Sequence, residues 1–394
     1  MVSPLFTKSF WCIKKTNFLL YILVLFSVSE FLTKLLDFYE VENYRVGVIF
    51  KVCFISFVFI KKMIPFSLLK DLFVLGGLFV LSQFFIDTNI PLKYKLLDNS
   101  LYFAKYVFIF LMAIFVAGLK DHKQTIHRAI TLILVFLKIN FVAILLGVIF
   151  KIDLFLTYGY NRFGYDGLIQ INSHASYIYC FATIYVVYNF IKTKKTTLDF
   201  WVVILSSLMI GTKTLYLFYA LIGCYAFFYF KLYKKLVFYI SSFGLISFII
   251  IFNENVIAFL NTHFRALFGL YHEYGFFTAI TSTRNLLLVE TLSLAFNEYW
   301  TPLNYVIGGG FFSELRTEMA FIDLFLFWGV LGTILYLFLY FKLIIRYYMH
   351  HSFLRYAIIS LMVTAFLGGN FFTNAVIAIY IVIFTSFFKL NSKA

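Results

Sequence analysis

Apolar runs of about 20 residues, the length a helix needs to cross a bilayer, recur along this chain and are separated by short polar breaks. They predict spans at about 18–36, 45–60, 66–86, 101–119, 129–150, 174–191, 198–211, 214–230, 236–253, 320–341, 353–368 and 374–388. The breaks alternate in character. Lys61-Lys62, Lys120 with Lys123 and Arg128, Lys192 to Lys195, Lys231 to Lys235, and Lys342 with Arg346 mark every second connection. Excess lysine and arginine favours the cytoplasmic face, so these connections and both termini are expected inside. The acidic segment Asp37 to Glu42, the 151–173 segment, the turn at Lys213 and a long polar loop over 254–319 then face outward. The predicted fold class is an all-α polytopic membrane protein of about twelve spans, read as one integral domain over 1–394.

Composition excludes other classes. Of 394 residues, 62% are hydrophobic and 13% charged, with 55 Phe and a mean hydropathy of +0.91. No soluble domain of this length hides so much apolar surface. The net charge of +15 belongs to the lysine-bearing connections and does not imply nucleic acid. Cys12, Cys53, Cys180 and Cys224 have no paired spacing, so neither a disulfide framework nor a metal site is expected. Lys8, Lys14 and Lys15 precede the first run as in a signal peptide. That run is long and no small-residue cleavage site follows it, so it reads as a retained span. No repeat of 20–50 residues is present, and the two halves do not mirror each other, which weakens a transporter built from inverted repeats.

Charges within the spans carry a cost in lipid. Glu30 and Lys34 lie four apart and are expected to pair on one helix face. Lys70 with Asp71, and Lys105, Lys138 and Asp199, lie near span ends or can snorkel.

Candidate chemistry gathers in three outward stretches. The 254–319 loop holds Arg265, Arg284 and Arg316 but no lysine, although lysine is the usual cation elsewhere. Guanidinium presents a planar fork that grips phosphate at two points, where an ammonium is a point charge. The same arginines can equally pair with Glu273, Glu290 and Glu314. Within the loop, Leu288, Val289, Leu292, Ala295 and Phe296 form an apolar stripe, opposite Arg284, Thr291 and Glu298. That pattern predicts an interfacial helix lying with its stripe on the bundle. Gly308, Gly309 and Gly310 are able to form a backbone nest for an anion. A second stretch runs from Arg162 through Gly164, Asp166 and Gly167 to Asn172, Ser173 and His174. It offers a cation, flexible backbone and a titratable imidazole, or is an ordinary glycine-rich loop. The third is Gly211-Thr212-Lys213-Thr214, where Thr212 caps the next helix and Lys213 stands beside its anion-favouring N-terminus, or which is a plain turn.

Several short motifs carry a resemblance. They are Arg162 to Gly167 with Asn172, the Gly-Thr-Lys-Thr turn at 211–214, Thr283-Arg284-Asn285, Gly308 to Gly310, and the span from Ala320 with Trp328-Gly329-Val330-Leu331-Gly332. In these and in its architecture, from about the third span onward, the chain resembles the O-antigen polymerase and ligase superfamily of bacterial envelope glycosyltransferases. The resemblance implies a GT-C-like architecture in the bacterial inner membrane, with the 254–319 loop periplasmic. It implies an undecaprenyl-diphosphate-linked glycan as donor, no metal or other cofactor, and a chain-length regulator as a partner. Arg162, Lys213 and Arg284 are then the cations holding the diphosphate, with Arg265 and Arg316 as further candidates. Ligases carry a histidine followed by asparagine just before the span that ends the long loop. Here the chain reads Thr317-Glu318-Met319-Ala320. That departure favours a polymerase and leaves Glu318, Asp323 and His174 as candidate bases. A ligase and a non-enzymatic flippase or transporter are the alternatives.

Overall fold

In a bilayer every backbone N–H and C=O must be satisfied within the chain, so apolar runs close into helices. The computed structural model describes residues 15–41, 51, 53–56, 66–86, 92–119, 122–158, 163–254, 264–310 and 315–392. Helices lie over all the predicted spans but the second, most of which is outside the described residues. They are α1 (Lys15–Phe38), α2 (Phe66–Phe85), α3 (Leu92–Ala117), α4 (His122–Phe150), α5 (Asn172–Thr193), α6 (Leu198–Ile210), α7 (Lys213–Tyr229) and α8 (Leu236–Ile251). The long loop is itself largely helical, with α9 (Arg265–Thr281), α10 (Arg284–Leu294) and the single turn α11 (Asn304–Ile307). The chain closes with α12 (Ala320–Leu343), α13 (Ser352–Leu367) and α14 (Ala375–Asn391). Among the described residues, five helices are long and apolar enough to cross a membrane: α1, α2, α3, α4 and α12.

The bundle is built around α14. Its residues from Ala375 to Phe388 are buried on every side, as expected of a helix that is apolar all round. It packs against α3, α4 and α5. Aromatic rings join α3 to α12, where Tyr106 meets Phe327, Trp328 and Tyr336 edge to face or tilted. Here α12 bends at Gly329, whose φ is 60°. A Cβ on Gly329 would sit 2.3 Å from the amide nitrogen of Gly308, and one on Gly308 would sit 2.4 Å from that of Gly329. Two glycines therefore let the long loop lie backbone to backbone on the bend.

Charges inside the spans find partners across the bundle. Glu30 and Lys34 do not pair with each other as their spacing suggests. Lys34 Nζ lies 2.5 Å from Asp166 Oδ1 and donates to the carbonyls of Gly167 and Ile169. Glu30 Oε2 lies 2.7 Å from His174 Nδ1. The cause is tertiary: the 166–169 loop and the first turn of α5 both come to rest on α1. Lys138 pairs with Asp199 of α6 at 2.7 Å. Lys34→Ala leaves the Asp166 carboxylate, 2% exposed, without its cation. A buried pair broken on one side costs about 3–5 kcal/mol, so unfolding of the purified variant in detergent is expected well below the parent. Lys34→Met combined with Asp166→Leu should recover most of that loss, because no uncompensated charge remains.

Candidate functional site

At one end of the bundle, α6 stops and α7 begins through a turn that only glycine permits. Gly211 has a φ of 73°, and a Cβ there would lie 2.3 Å from the carbonyl oxygen of Phe163. The 163–165 strand-like segment presses into that space. Tyr165 N donates to Met209 O at 2.9 Å and Thr157 Oγ1 to Ile210 O at 2.9 Å, satisfying carbonyls that a helix end leaves open. Thr212 then caps α7 by accepting from Leu215 N. Its hydroxyl also meets Ser176 Oγ of α5 at 2.7 Å. The N-termini of α5 and α7 are thereby fixed side by side.

Lys213, the first residue of α7, reaches the elbow between α9 and α10. Its Nζ donates to Ala279 O at 2.5 Å and to Ser282 Oγ at 2.7 Å, at the negative end of the α9 dipole. The elbow is strained. Ser282 and Thr283 have φ of 55° and 66°, a region that costs non-glycine residues energy and that clusters at functional sites. Asn285 holds it shut, accepting from Thr281 Oγ1 and donating to Thr278 Oγ1, both at 2.8 Å. No side chain caps the N-terminus of α10. Arg284 opens that helix and donates through Nη1 to Leu367 O at 3.1 Å. Its Nε faces Glu318 Oε2 at 3.5 Å and makes no hydrogen bond.

Between these parts lies a polar cavity of about 340 Å³. Asn172, Ser173, Ser176 and Tyr177 of α5 line it, with Thr212, Lys213 and Thr214 of α7, Ser282 and Arg284 of the elbow, Tyr158, Ile171, Glu318, Gly369 and Asn370. Three helix N-termini border it, two cations line it, and one carboxylate answers them. That field suits an anion. Glu318 stands on a turn of its own, with φ of 54°, and its side chain is 52% exposed. The α13–α14 turn lies so close beneath that a Cβ on Gly369 would be 2.9 Å from Glu318 O.

The remaining candidates are distributed as follows. Arg316 is just behind the lining, its Nη2 donating to Asn370 Oδ1 at 2.5 Å and its Nε 4.0 Å from Asp323 Oδ2. Asp323 is 3% exposed and accepts from the amide and hydroxyl of Thr317 at 2.7 and 2.8 Å, so it stitches the 317–319 turn to α12. His174 lies buried on α5, held by Glu30 on one ring nitrogen and by the Asn374 amide on the other. It does not line the cavity. Arg265 is exposed at the start of α9 and is not part of the lining. Gly308 N donates to Asn304 O and Gly309 N to Leu326 O, so those amides are engaged in the joint with α12 and are not turned to the cavity. Arg162 and Glu314 lie outside the described residues.

The α10 helix docks through most of the stripe its pattern suggests and through part of its polar side as well. Thr291, 2% exposed, is turned inward and donates to Arg316 O, beside the half-buried Arg284. Of the predicted stripe, Val289 is turned outward, 69% exposed. Leu288 is half-buried, and Leu292, Ala295 and Phe296 pack against Trp300, Leu315 and Leu326. The surface receiving the helix is mixed: Leu367 O, Arg316 O and Glu318 meet Arg284 and Thr291, and Leu315, Leu326 and Trp300 meet the apolar residues.

Of these lining residues, the sequence points to Asn172, Ser173, Thr212, Lys213, Thr214, Arg284 and Glu318. It missed Ser176, Tyr177 and Asn370. The Gly368-Gly369-Asn370 turn was the available signal, a flexible polar break on the same side as the long loop. Among the described residues, no three His, Cys, Asp or Glu side chains gather as metal ligands.

Among the described residues, fold and site together define an all-α protein with five helices long and apolar enough to cross a membrane and a cation-lined polar cavity at one end. Searches of protein-family models, curated proteins and solved structures find no match to the chain.

Proposed function

We propose that this protein is a repeat-unit polymerase for O-antigen or a related surface polysaccharide of the bacterial inner membrane, acting on its periplasmic face. The observation that carries this reading is the meeting of Lys213 and Arg284 over one cavity whose floor is an apolar bundle. A lipid-linked diphosphate has the matching form: two phosphates for the cations and helix N-termini, and a tail for the lipid. The geometry of the lysine-bearing turns supports the orientation. Turns at 192–195, 231–235 and 342–346 belong to the end of the bundle opposite the cavity, which by the positive-inside rule is cytoplasmic. About twelve spans with both termini inside complete the reading.

In the reaction, the donor glycan on its lipid diphosphate is attacked at the anomeric carbon by a sugar hydroxyl of a second lipid-linked repeat unit. The new C–O bond forms, the bond to the diphosphate oxygen breaks, and the lipid diphosphate leaves with the electron pair. Its charge develops against Arg284 and Lys213, which are already in place. Glu318, half-exposed at the cavity and within reach of Arg284, takes the hydroxyl proton.

A deletion strain tests the reading. Lipopolysaccharide carrying single repeat units on core is the expected phenotype on a gel. Core without any glycan would mean a ligase, and lipid-linked repeat units accumulating on the cytoplasmic face would mean a flippase.

A further inference from the structure

The α13–α14 turn, over 368–374, carries Gly369 and Asn370 of the cavity lining, and α5 grips it at two places one helical turn apart. Tyr177 takes the middle, its ring 5.0 Å from that of Phe371 and its hydroxyl donating to Gly369 O at 3.4 Å. His174 takes the far end, through Asn374. The first grip is largely apolar. The second runs from Glu30 on α1 through the imidazole to the residue that caps α14, outside the lining itself. We infer that Glu30, His174 and Asn374 form a positioning relay that holds the α13–α14 turn against the cavity only while the imidazole is neutral. The relay stands on hydrogen-bond chemistry alone, and its consequence for activity rests on the polymerase reading of the cavity.

The tautomer follows from the cap. Asn374 Oδ1 accepts from the amides of Val376 and Ile377 at 2.8 and 3.2 Å, two of the donors that open a helix without an intrahelical partner. Both residues are buried, so water is a poor substitute for that oxygen. With the oxygen engaged, Asn374 presents its NH2 group to His174 Nε2, and that nitrogen must carry a lone pair. The ring proton is therefore on Nδ1 and is donated to Glu30 Oε2 at 2.7 Å. Lys51 interacts with the same carboxylate, so the neutral ring leaves no buried charge unanswered.

A second proton has one place to go. On Nε2 it points into the NH2 of Asn374, donor against donor. Turning the amide over to accept it takes the oxygen from Val376 and Ile377 and aims the NH2 at their N–H groups. Either the cap of α14 or its link to α5 is then lost, and of the two grips from α5 only that of Tyr177 remains. Asn370 and the Leu367 carbonyl that receives Arg284 lose that support. The other titratable groups around the ring give no relief. Lys34 of α1 and Asp166 of the following loop satisfy each other at 2.5 Å, and Tyr380 of α14 shares a hydrogen bond with Ser27.

The test is amide hydrogen exchange of the full-length protein in nanodiscs, read by mass spectrometry and corrected for the intrinsic effect of pH. In the parent, protection of the Val376 and Ile377 amides is expected to fall about tenfold between about pH 7.5 and about pH 5, the worth of a lost cap across the ordinary imidazole range. Protection within α13 should not change. Asn374→Asp keeps the cap and sets a carboxylate oxygen before Nε2, where it accepts the second proton, so its protection should survive acid. His174→Gln has nothing to titrate there and should also be indifferent, which serves where Asn374→Asp fails to fold. In cells grown at about pH 5, below the ordinary imidazole range, glycan chains should shorten in the parent and stay long with Asn374→Asp, a pattern that a purely structural cap does not give. Parent protection indifferent to acid, or either variant losing it as the parent does, would overturn the relay. The expected protection with chain lengths indifferent to acid would overturn its positioning role. A deletion strain with unchanged polysaccharide would sink the polymerase reading instead, and the exchange result would still decide the relay.

Discussion

Arg284→Ala is expected to abolish long glycan chains while leaving the amount of protein in the membrane unchanged. The guanidinium stands at the first turn of α10, over the cavity, with Nε aimed at Glu318 and without a hydrogen bond of its own. A preorganised donor facing charge that develops in a transition state is worth about 10²–10³ in rate. Because each added repeat passes through the same step, that loss compounds and the length distribution collapses to short products. Folding should hardly notice. The side chain is 28% exposed and contributes one carbonyl contact at 3.1 Å and a loose ion pair to a half-exposed glutamate, an arrangement worth about 1 kcal/mol or less. Arg284→Lys separates charge from shape: it keeps the cation, loses the two-point grip, and should give chains of intermediate length. Lipopolysaccharide ladders read beside an immunoblot of the membrane fraction decide the matter, and full-length ladders from Arg284→Ala would refute the assignment.

Gly211→Ala is the substitution expected to damage the fold most for its size. One methyl group must enter a space where the Phe163 carbonyl oxygen is 2.3 Å away and Gly164 Cα is 2.9 Å away. The neighbours are backbone, so no rotamer change relieves the overlap. The left-handed φ adds about 1–2 kcal/mol on its own. The total loss should reach about 3 kcal/mol or more, and the damage should spread to the site. The α6–α7 turn carries Thr212 and Lys213, so shifting it loosens the Ser176 contact and the hold of Lys213 on the α9–α10 elbow. Gly223→Ala is the internal control. Gly223 lies within α7 and a Cβ there meets nothing within 4 Å, so stability should be unchanged or raised by up to about 1 kcal/mol through helix propensity. Thermal unfolding of both variants in detergent measures the contrast, and equal stabilities would contradict the packing of the 163–167 loop against α6.

The long loop illustrates how far a linear pattern carries. Its apolar stripe from Leu288 to Phe296 correctly marks a helix, because periodicity is a property of neighbouring residues. Which side of that helix docks is set by what it docks upon. The receiving surface is assembled from segments distant in sequence, and beside the apolar Leu315 and Leu326 that take the stripe it offers Glu318, Leu367 O and Arg316 O to Arg284 and Thr291. The glycine triplet at 308–310 shows the same limit. Its conformational freedom is evident from composition, but the use of that freedom depends on Gly329 lying opposite. His174 is another case: a histidine at the mouth of a span suggests chemistry, and the proximity of Glu30 and Asn374 turns it into a buried link among α1, α5 and α14.

What the linear sequence determined is the position of the helices, their apolar character, and the segregation of lysine from arginine. Each follows from run length, local composition and the cost of charge in hydrocarbon, none of which needs a distant partner. Only the tertiary structure decided which charges pair, what Arg284 and Thr291 of α10 meet, and which of the described candidate side chains share one cavity. Those outcomes depend on elements such as Lys34 and Asp166, or Lys213 and Ser282, whose approach is created by packing and leaves no trace in spacing along the chain.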